Sequence, residues 1–209
     1  MAQAADAKNE KAEFLIPSNQ ADVDSVKKLL KNHNLEPGKY IVLIPGSAQE
    51  SKCWPAERFA QLADKISAQY NYPIIAVGSK SEKAKAEEIN KTICRDSRPC
   101  VSTKVINLAG QTSLRELVEL LRMAKLVVSN DTGPGHIASA LGVPLVIMYS
   151  WSNPARIAPY GRPECMVARD PFTRGMKIKS TNPNHSITNI TVDEVLQKAS
   201  EQLNKPTAK

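Results

Sequence analysis

Asp131, Thr132, Gly133 and His136 can together hold an anion, because they follow directly on Leu126-Val127-Val128, an apolar run suited to a strand buried on both faces. Thr132, Gly133 and Gly135 allow a tight turn in which backbone comes close to a ligand, since glycine has no Cβ in the way. From His136 onward Ile137, Ala140 and Leu141 fall at helical spacing, until Gly142 and Pro144 supply a stop. The N–H groups of a first helical turn and the positive end of its dipole attract phosphate. The Thr132 hydroxyl and the His136 imidazole add side-chain donors. The same residues also suit an ordinary helix start, with Asp131 and Thr132 as caps and His136 packed beneath.

Two further segments deliver polar groups from strand ends. Tyr40-Ile41-Val42-Leu43-Ile44 runs into Pro45-Gly46-Ser47 and then Lys52-Cys53-Trp54-Pro55, where Pro55 suits the first turn of a helix striped by Phe59, Leu62, Ala63 and Ile66. Lys52 then lies in the strand-to-helix loop, where a flexible ammonium reaches a phosphate as a point charge. Pro73-Ile74-Ile75-Ala76-Val77 ends in Gly78 with Glu82 shortly after, a place where a carboxylate accepts from ribose hydroxyls or simply begins a charged helix.

The elements that must position these groups alternate along the chain. Strands are predicted at about 40–44, 73–77, 105–108, 126–128 and 145–149, and helices at about 55–69, 82–92, 113–123 and 135–141. A helix over Asp22 to Asn32 precedes them, a final amphipathic helix runs from Thr191 to Leu203, and the stretch from Cys165 to Asn189 reads as irregular. Such alternation predicts an α/β fold: a Rossmann-like parallel sheet with right-handed crossovers and helices on both faces. Ligands bind at the carboxyl ends of such strands, where Ser47, Lys52, Glu82, Thr112 and Asp131 all fall.

From about Tyr40 to Gly161 the chain resembles glycosyltransferase family 9, the lipopolysaccharide heptosyltransferases, and in particular the C-terminal, donor-binding half of their two-domain GT-B architecture. The resemblance is carried by Asp131-Thr132-Gly133-x-x-His136 with Ala140-Leu141-Gly142-x-Pro144, by Pro45-Gly46-Ser47 with Lys52-x-Trp54-Pro55, and by Leu108-Ala109-Gly110-Gln111-Thr112-Ser113-Leu114. It implies that Lys52 contacts donor phosphate and sugar, Ser47 helps hold the diphosphate, and Glu82 holds the nucleotide ribose. It further implies that Thr112 lines the base, Asp131 meets sugar hydroxyls, and Thr132, Gly133 and His136 form the phosphate-binding turn. The activity implied is transfer of heptose from an ADP-heptose-type donor to the lipopolysaccharide inner core, without cofactor or metal. A nucleotide-sugar binding module without turnover, or half of a split enzyme, is the alternative.

The family's acceptor-binding N-terminal domain, which supplies the catalytic base, has no match here, and because the last helix of such proteins commonly crosses back to that domain, the apolar face of the Thr191 to Leu203 helix is expected to be left exposed. Residues 1–36 read as a tail and linker helix, and 37–209 as the donor-binding domain. Asp22 and Asp24 lie on a charged helical face, so no catalytic base is assigned. A separate acceptor-domain chain and a peripheral inner-membrane contact are the partners the family resemblance suggests.

The formal charge of +7 suits attraction to anionic headgroups. Nucleic acid is not expected, because the lysines are scattered and no helix-turn-helix or RNP pattern occurs. No apolar run approaches the roughly 18 residues of a membrane span, and Met1 to Glu13 has no apolar centre of a secretory signal, so a cytoplasmic location is expected. Cys53, Cys94, Cys100 and Cys165 have no metal-ligand spacing with His33, His136 or His185 and are expected as free thiols. The sequons at Asn184 and Asn189 then carry no meaning.

Overall fold

A computed structural model describes residues 14–95 and 103–205 of the 209. Helix α1 (Gln20–Asn32) precedes a run of alternating strands and helices: β1 (Ile41–Ile44), α2 (Ala56–Tyr70), β2 (Ile74–Ala76), α3 (Lys83–Arg95), β3 (Val105–Asn107), α4 (Leu114–Arg122), β4 (Leu126–Asn130), α5 (Gly133–Ala140) and β5 (Leu145–Tyr149). A single-turn helix α6 (Pro154–Ile157), strand β6 (Met166–Ala168) and helix α7 (Val192–Leu203) complete it. Neighbouring strands are all parallel, in the order β3-β2-β1-β4-β5-β6.

Strand side chains alternate between the two faces, and each face has its own core. Ile41 and Leu43 point to one side, where Phe59, Leu62, Ala63 and Ile66 of α2 and Ala86 and Ile89 of α3 cover them. Tyr40, Val42 and Ile44 point to the other, against Val26 and Leu30 of α1, Leu120 and Leu121 of α4, and Ala138 of α5. Burying each large apolar side chain is worth roughly 1.5–3 kcal/mol, which explains why these short strands carry almost no polar residues. The two faces follow from handedness. A right-handed crossover puts helices on one face as the chain steps from β1 to β3, and on the other once it returns to β4 and steps the opposite way. The reversal falls between β1 and β4, where Ile44 pairs with Ser129, and it opens a crevice beyond their carboxyl ends.

Two expectations need correction. The stretch from Cys165 to Asn189 contains β6, whose Met166, Val167 and Ala168 pair in parallel with Ile147, Met148 and Tyr149; three residues are too few for a period of two to show. Helix α7, whose apolar stripe the family likeness leaves without its usual partner domain, is not exposed. Val195 and Ala199 are fully buried and Leu203 is 9% exposed, packed with Val146, Met148 and Val167 of the same sheet. The first helix is likewise docked, with Ser25 Oγ donating to Glu116 Oε1 of α4 at 2.5 Å. The tail Met1 to Glu13, the Cys94 side chain and Cys100 lie outside the described residues. Cys53 and Cys165 are free and buried. No described helix is long and apolar enough to cross a membrane.

Gly135 serves this packing rather than ligand approach: a Cβ there would stand 2.6 Å from Ser129 Oγ and 3.1 Å from Ile147 Cδ1. Helix α5 can lie against β4 and β5 only without that atom. Gly135→Ala is expected to lower unfolding free energy by about 1–3 kcal/mol. Gly133→Ala, whose Cβ would meet nothing within 4 Å, should not. Urea unfolding of the two variants checks the difference.

Candidate functional site

The crevice between β1 and β4 is built by polar side chains that tie loops together. Asn130, the last residue of β4, is fully buried; its Oδ1 accepts from the Trp54 backbone N–H at 3.0 Å and its Nδ2 donates to the Pro45 carbonyl at 2.8 Å. One amide thus clamps both ends of the loop that leaves β1. Trp54 holds the same loop from below, with its indole Nε1 donating to the Ile190 carbonyl at 2.9 Å and its ring edge-to-face with Phe59 at 5.0 Å. From β5, Ser150 Oγ donates to the carbonyl of Ser51 at 3.1 Å. A single turn of 3-10 helix over Glu50–Lys52 then presents Lys52 to the crevice.

The Lys52 ammonium lies 2.6 Å from Asp131 Oδ2. Asp131, the first residue beyond β4, is 7% exposed, and its Oδ1 faces His136 Nε2 at 3.4 Å. Burial acts to raise the Asp131 pKa, but hydrogen bonds from His136, Lys52 and Ser152 outweigh it and bring the carboxyl down to about 2. Asp131 is therefore an ionised carboxylate held rigidly beside a cation. Thr132 takes the N-cap position of α5 with extended backbone, and its side chain makes no capping bond. With the Asp131 carboxylate committed to Lys52, His136 and Ser152, the ordinary cap is not what these two side chains form. The first turn of α5 opens on the same crevice as the Lys52 ammonium, giving a cation and helix-end amides side by side.

A family model for glycosyltransferase family 9 (heptosyltransferase) matches residues 3–187. The chain belongs to glycosyltransferase family 9. Lipooligosaccharide heptosyltransferase 2 of Haemophilus influenzae is 30% identical over 198 residues, a match covering 90% of this chain and 54% of that one. The fold is similar to the glycosyl transferase family 9 structure from Veillonella parvula, with TM-score 0.72, 24% identity, and coverage of 94% of this chain and 56% of that one. It is also similar to the E. coli ADP-heptose lps heptosyltransferase II, with TM-score 0.69, 23% identity, and coverage of 96% and 56%. The chain spans about half or less of the length of the curated relatives it matches.

In this family 9 chain the other predicted site residues fall along the same edge of the sheet at different distances. Ser47 is half-buried in the turn after β1, and its backbone hydrogen-bonds the Cys53 thiol, which burial nevertheless pushes up in pKa. Glu82 reaches that turn from the next loop: its carboxylate lies over Gly46, where a Cβ would overlap it. Its Oε2 accepts from Ser79 N and Ser79 Oγ, both at 2.7 Å, so Glu82 also starts the helical segment leading into α3. Thr112 sits half-buried after β3, the edge strand, which lies three strands across the sheet from β4. No hydrogen bond between described residues joins it to the Lys52 cluster. Sequence reasoning gave no role to Asn130, Ser150 or Arg174; a buried polar pair, Ser129-Asn130, at the end of an apolar strand is the signal that points to Asn130. No cluster of metal-ligating side chains occurs among the described residues.

Because the folded-state Asp131 pKa lies below its ordinary value of 3.8, its contacts stabilise the fold above about pH 4 and are lost as pH falls toward 2. The gap corresponds to roughly 2 kcal/mol. Thermal unfolding followed from pH 5 to pH 2.5 should fall more steeply for the wild type than for Asp131→Asn, which lacks the titrating group.

Proposed function

We propose that this chain is the donor-binding part of a heptosyltransferase that transfers heptose from an ADP-heptose-type nucleotide sugar to the lipopolysaccharide inner core. The observation that carries the proposal is the Lys52 ammonium held on Asp131 beside the first turn of α5, at the strand-order reversal of a parallel sheet. A diphosphate placed there meets one full positive charge and one helix end. Lys52 has three N–H donors, so it can keep Asp131 and still donate to a phosphate oxygen.

In the reaction an acceptor hydroxyl oxygen bonds to the anomeric carbon while the bond from that carbon to the diphosphate oxygen breaks. Negative charge builds on the leaving diphosphate, and fixed positive groups aimed at it stabilise the transition state more than the ground state. Lys52, the Thr132 and Gly133 turn and His136 fill that role in the proposal, with Ser47 as a further hydroxyl contact. Asp131 accepts from sugar hydroxyls, Glu82 from the ribose, and Thr112 lines the base. The acceptor's proton passes to a base contributed by the acceptor-binding half, as part of a longer polypeptide or as a separate chain. The reading calls for no cofactor, metal or nucleic acid. It places the protein in the cytoplasm at the inner membrane, where a formal charge of +7 favours contact with anionic lipid.

Calorimetric titration with ADP, ADP-heptose and adenosine tests the proposal. Binding of both diphosphates is expected, and Lys52→Ala should weaken ADP by about 10- to 100-fold, the worth of a lost charge-assisted contact, while adenosine is unchanged. Equal loss for ADP and adenosine, or no heat with any of the three, would overturn it.

A further inference from the structure

The segment after β6 folds back as a strap over the residues that follow β5. Ser180 N donates to the Trp151 carbonyl and Asn153 N to the Ile178 carbonyl, each at 2.7 Å, and Ser152 pairs with Lys179 in an antiparallel bridge. Asn153 Nδ2 adds bonds to the carbonyls of Gly175 and Lys177 at 3.0 and 2.8 Å. At the centre is Arg174. Its Nη1 donates to the carbonyls of Ser150 and of Ser152, while Nε and Nη2 both donate to the Arg169 carbonyl. A guanidinium spent on backbone oxygens fixes main chain, because its rigid fork holds several carbonyls in one relative geometry.

The main chain it fixes is the segment that grips the Lys52 and Asp131 pair. Ser150, 1% exposed, sends its hydroxyl to the carbonyl of Ser51, the residue before Lys52. Ser152, 3% exposed, lies beside the Asp131 carboxylate and helps to lower its pKa. We infer that Arg174 is a positioning residue for the donor site, acting through Ser150 and Ser152 to hold Lys52 and Asp131 in register across the crevice. The inference rests on the donor-site reading, and it adds a residue 38 positions beyond His136 of the phosphate-binding turn. Charge alignment of this kind is sensitive to displacements of about 1 Å, which one loop gripping both partners prevents.

The test uses the full chain with three variants, Arg174→Met, Arg174→Lys and Ser150→Ala. It reads ADP and adenosine affinity by calorimetry and the Asp131 carboxyl midpoint by carbon NMR in the ligand-free protein. That carboxyl is faced by Lys52 from the loop after β1, by His136 from α5, by Ser152 and by Tyr149 of β5. For Arg174→Met, ADP affinity is expected to drop about tenfold with adenosine unchanged, and the Asp131 midpoint to rise. Arg174→Lys should not restore either reading, because a single ammonium cannot span the three carbonyls. Ser150→Ala removes one oxygen and keeps the strap, so it carries the test if the arginine variants fail to fold; about threefold weaker ADP binding is expected. Folded variants with unchanged ADP affinity and an unchanged Asp131 midpoint, or with ADP and adenosine weakened equally, would overturn the inference. If the wild type binds no ADP, the donor reading fails, and the Asp131 midpoint alone decides the role of Arg174.

Discussion

An aspartate that is 7% exposed stays charged only if the protein surrounds it with donors, and meeting that demand at Asp131 organises the whole end of the sheet. Two separate loops and the helix that follows Asp131 must converge on one carboxylate. Lys52 arrives from β1, His136 from the first turn of α5, and Ser152 from beyond β5. Convergence of this kind is possible because β1, β4 and β5 lie side by side, although β1 and β4 are separated in sequence by three crossovers. The sheet order is thus the cause, and the compensated charge its chemical result.

A lysine held on an aspartate at a helix start gives a region of alternating sign, and in the proposed donor site a diphosphate would meet the positive groups and sugar hydroxyls the carboxylate. Membership of family 9 is the ground for proposing that division of labour.

What the sequence made legible follows from the kind of partner each residue has. The apolar runs of β1, β4 and β5 announce themselves, since strands covered on both faces tolerate no polar interruption. The meeting of Lys52 with Asp131, 79 residues apart, was foreseeable only through the rule that strand carboxyl ends share one crevice. Thr112 shows the limit of that rule: it lies at the correct end of its strand, yet at the far edge of the sheet. The stripe of α7 was readable as apolar, but not its cover, because amphipathicity tells that a face is buried and not against what. Asn130 and Arg174 escaped notice for a related reason. Their partners are backbone carbonyls and an amide, which every residue carries and no letter of the sequence marks.

The indole of Trp54 rests on the carbonyl of Ile190, and the Arg58 guanidinium reaches the carbonyls of Thr188 and Ile190. The loop bearing Lys52 is therefore anchored by main chain made more than a hundred residues later. During synthesis, which proceeds at about 5–20 residues per second, the early strands can pair while this anchor is still inside the ribosome. The last anchor of that loop therefore arrives late, when the stretch leading into α7 emerges, and a nascent chain halted before that point holds the lysine-bearing loop through Asn130 and Ser150 but without its rest on Ile190.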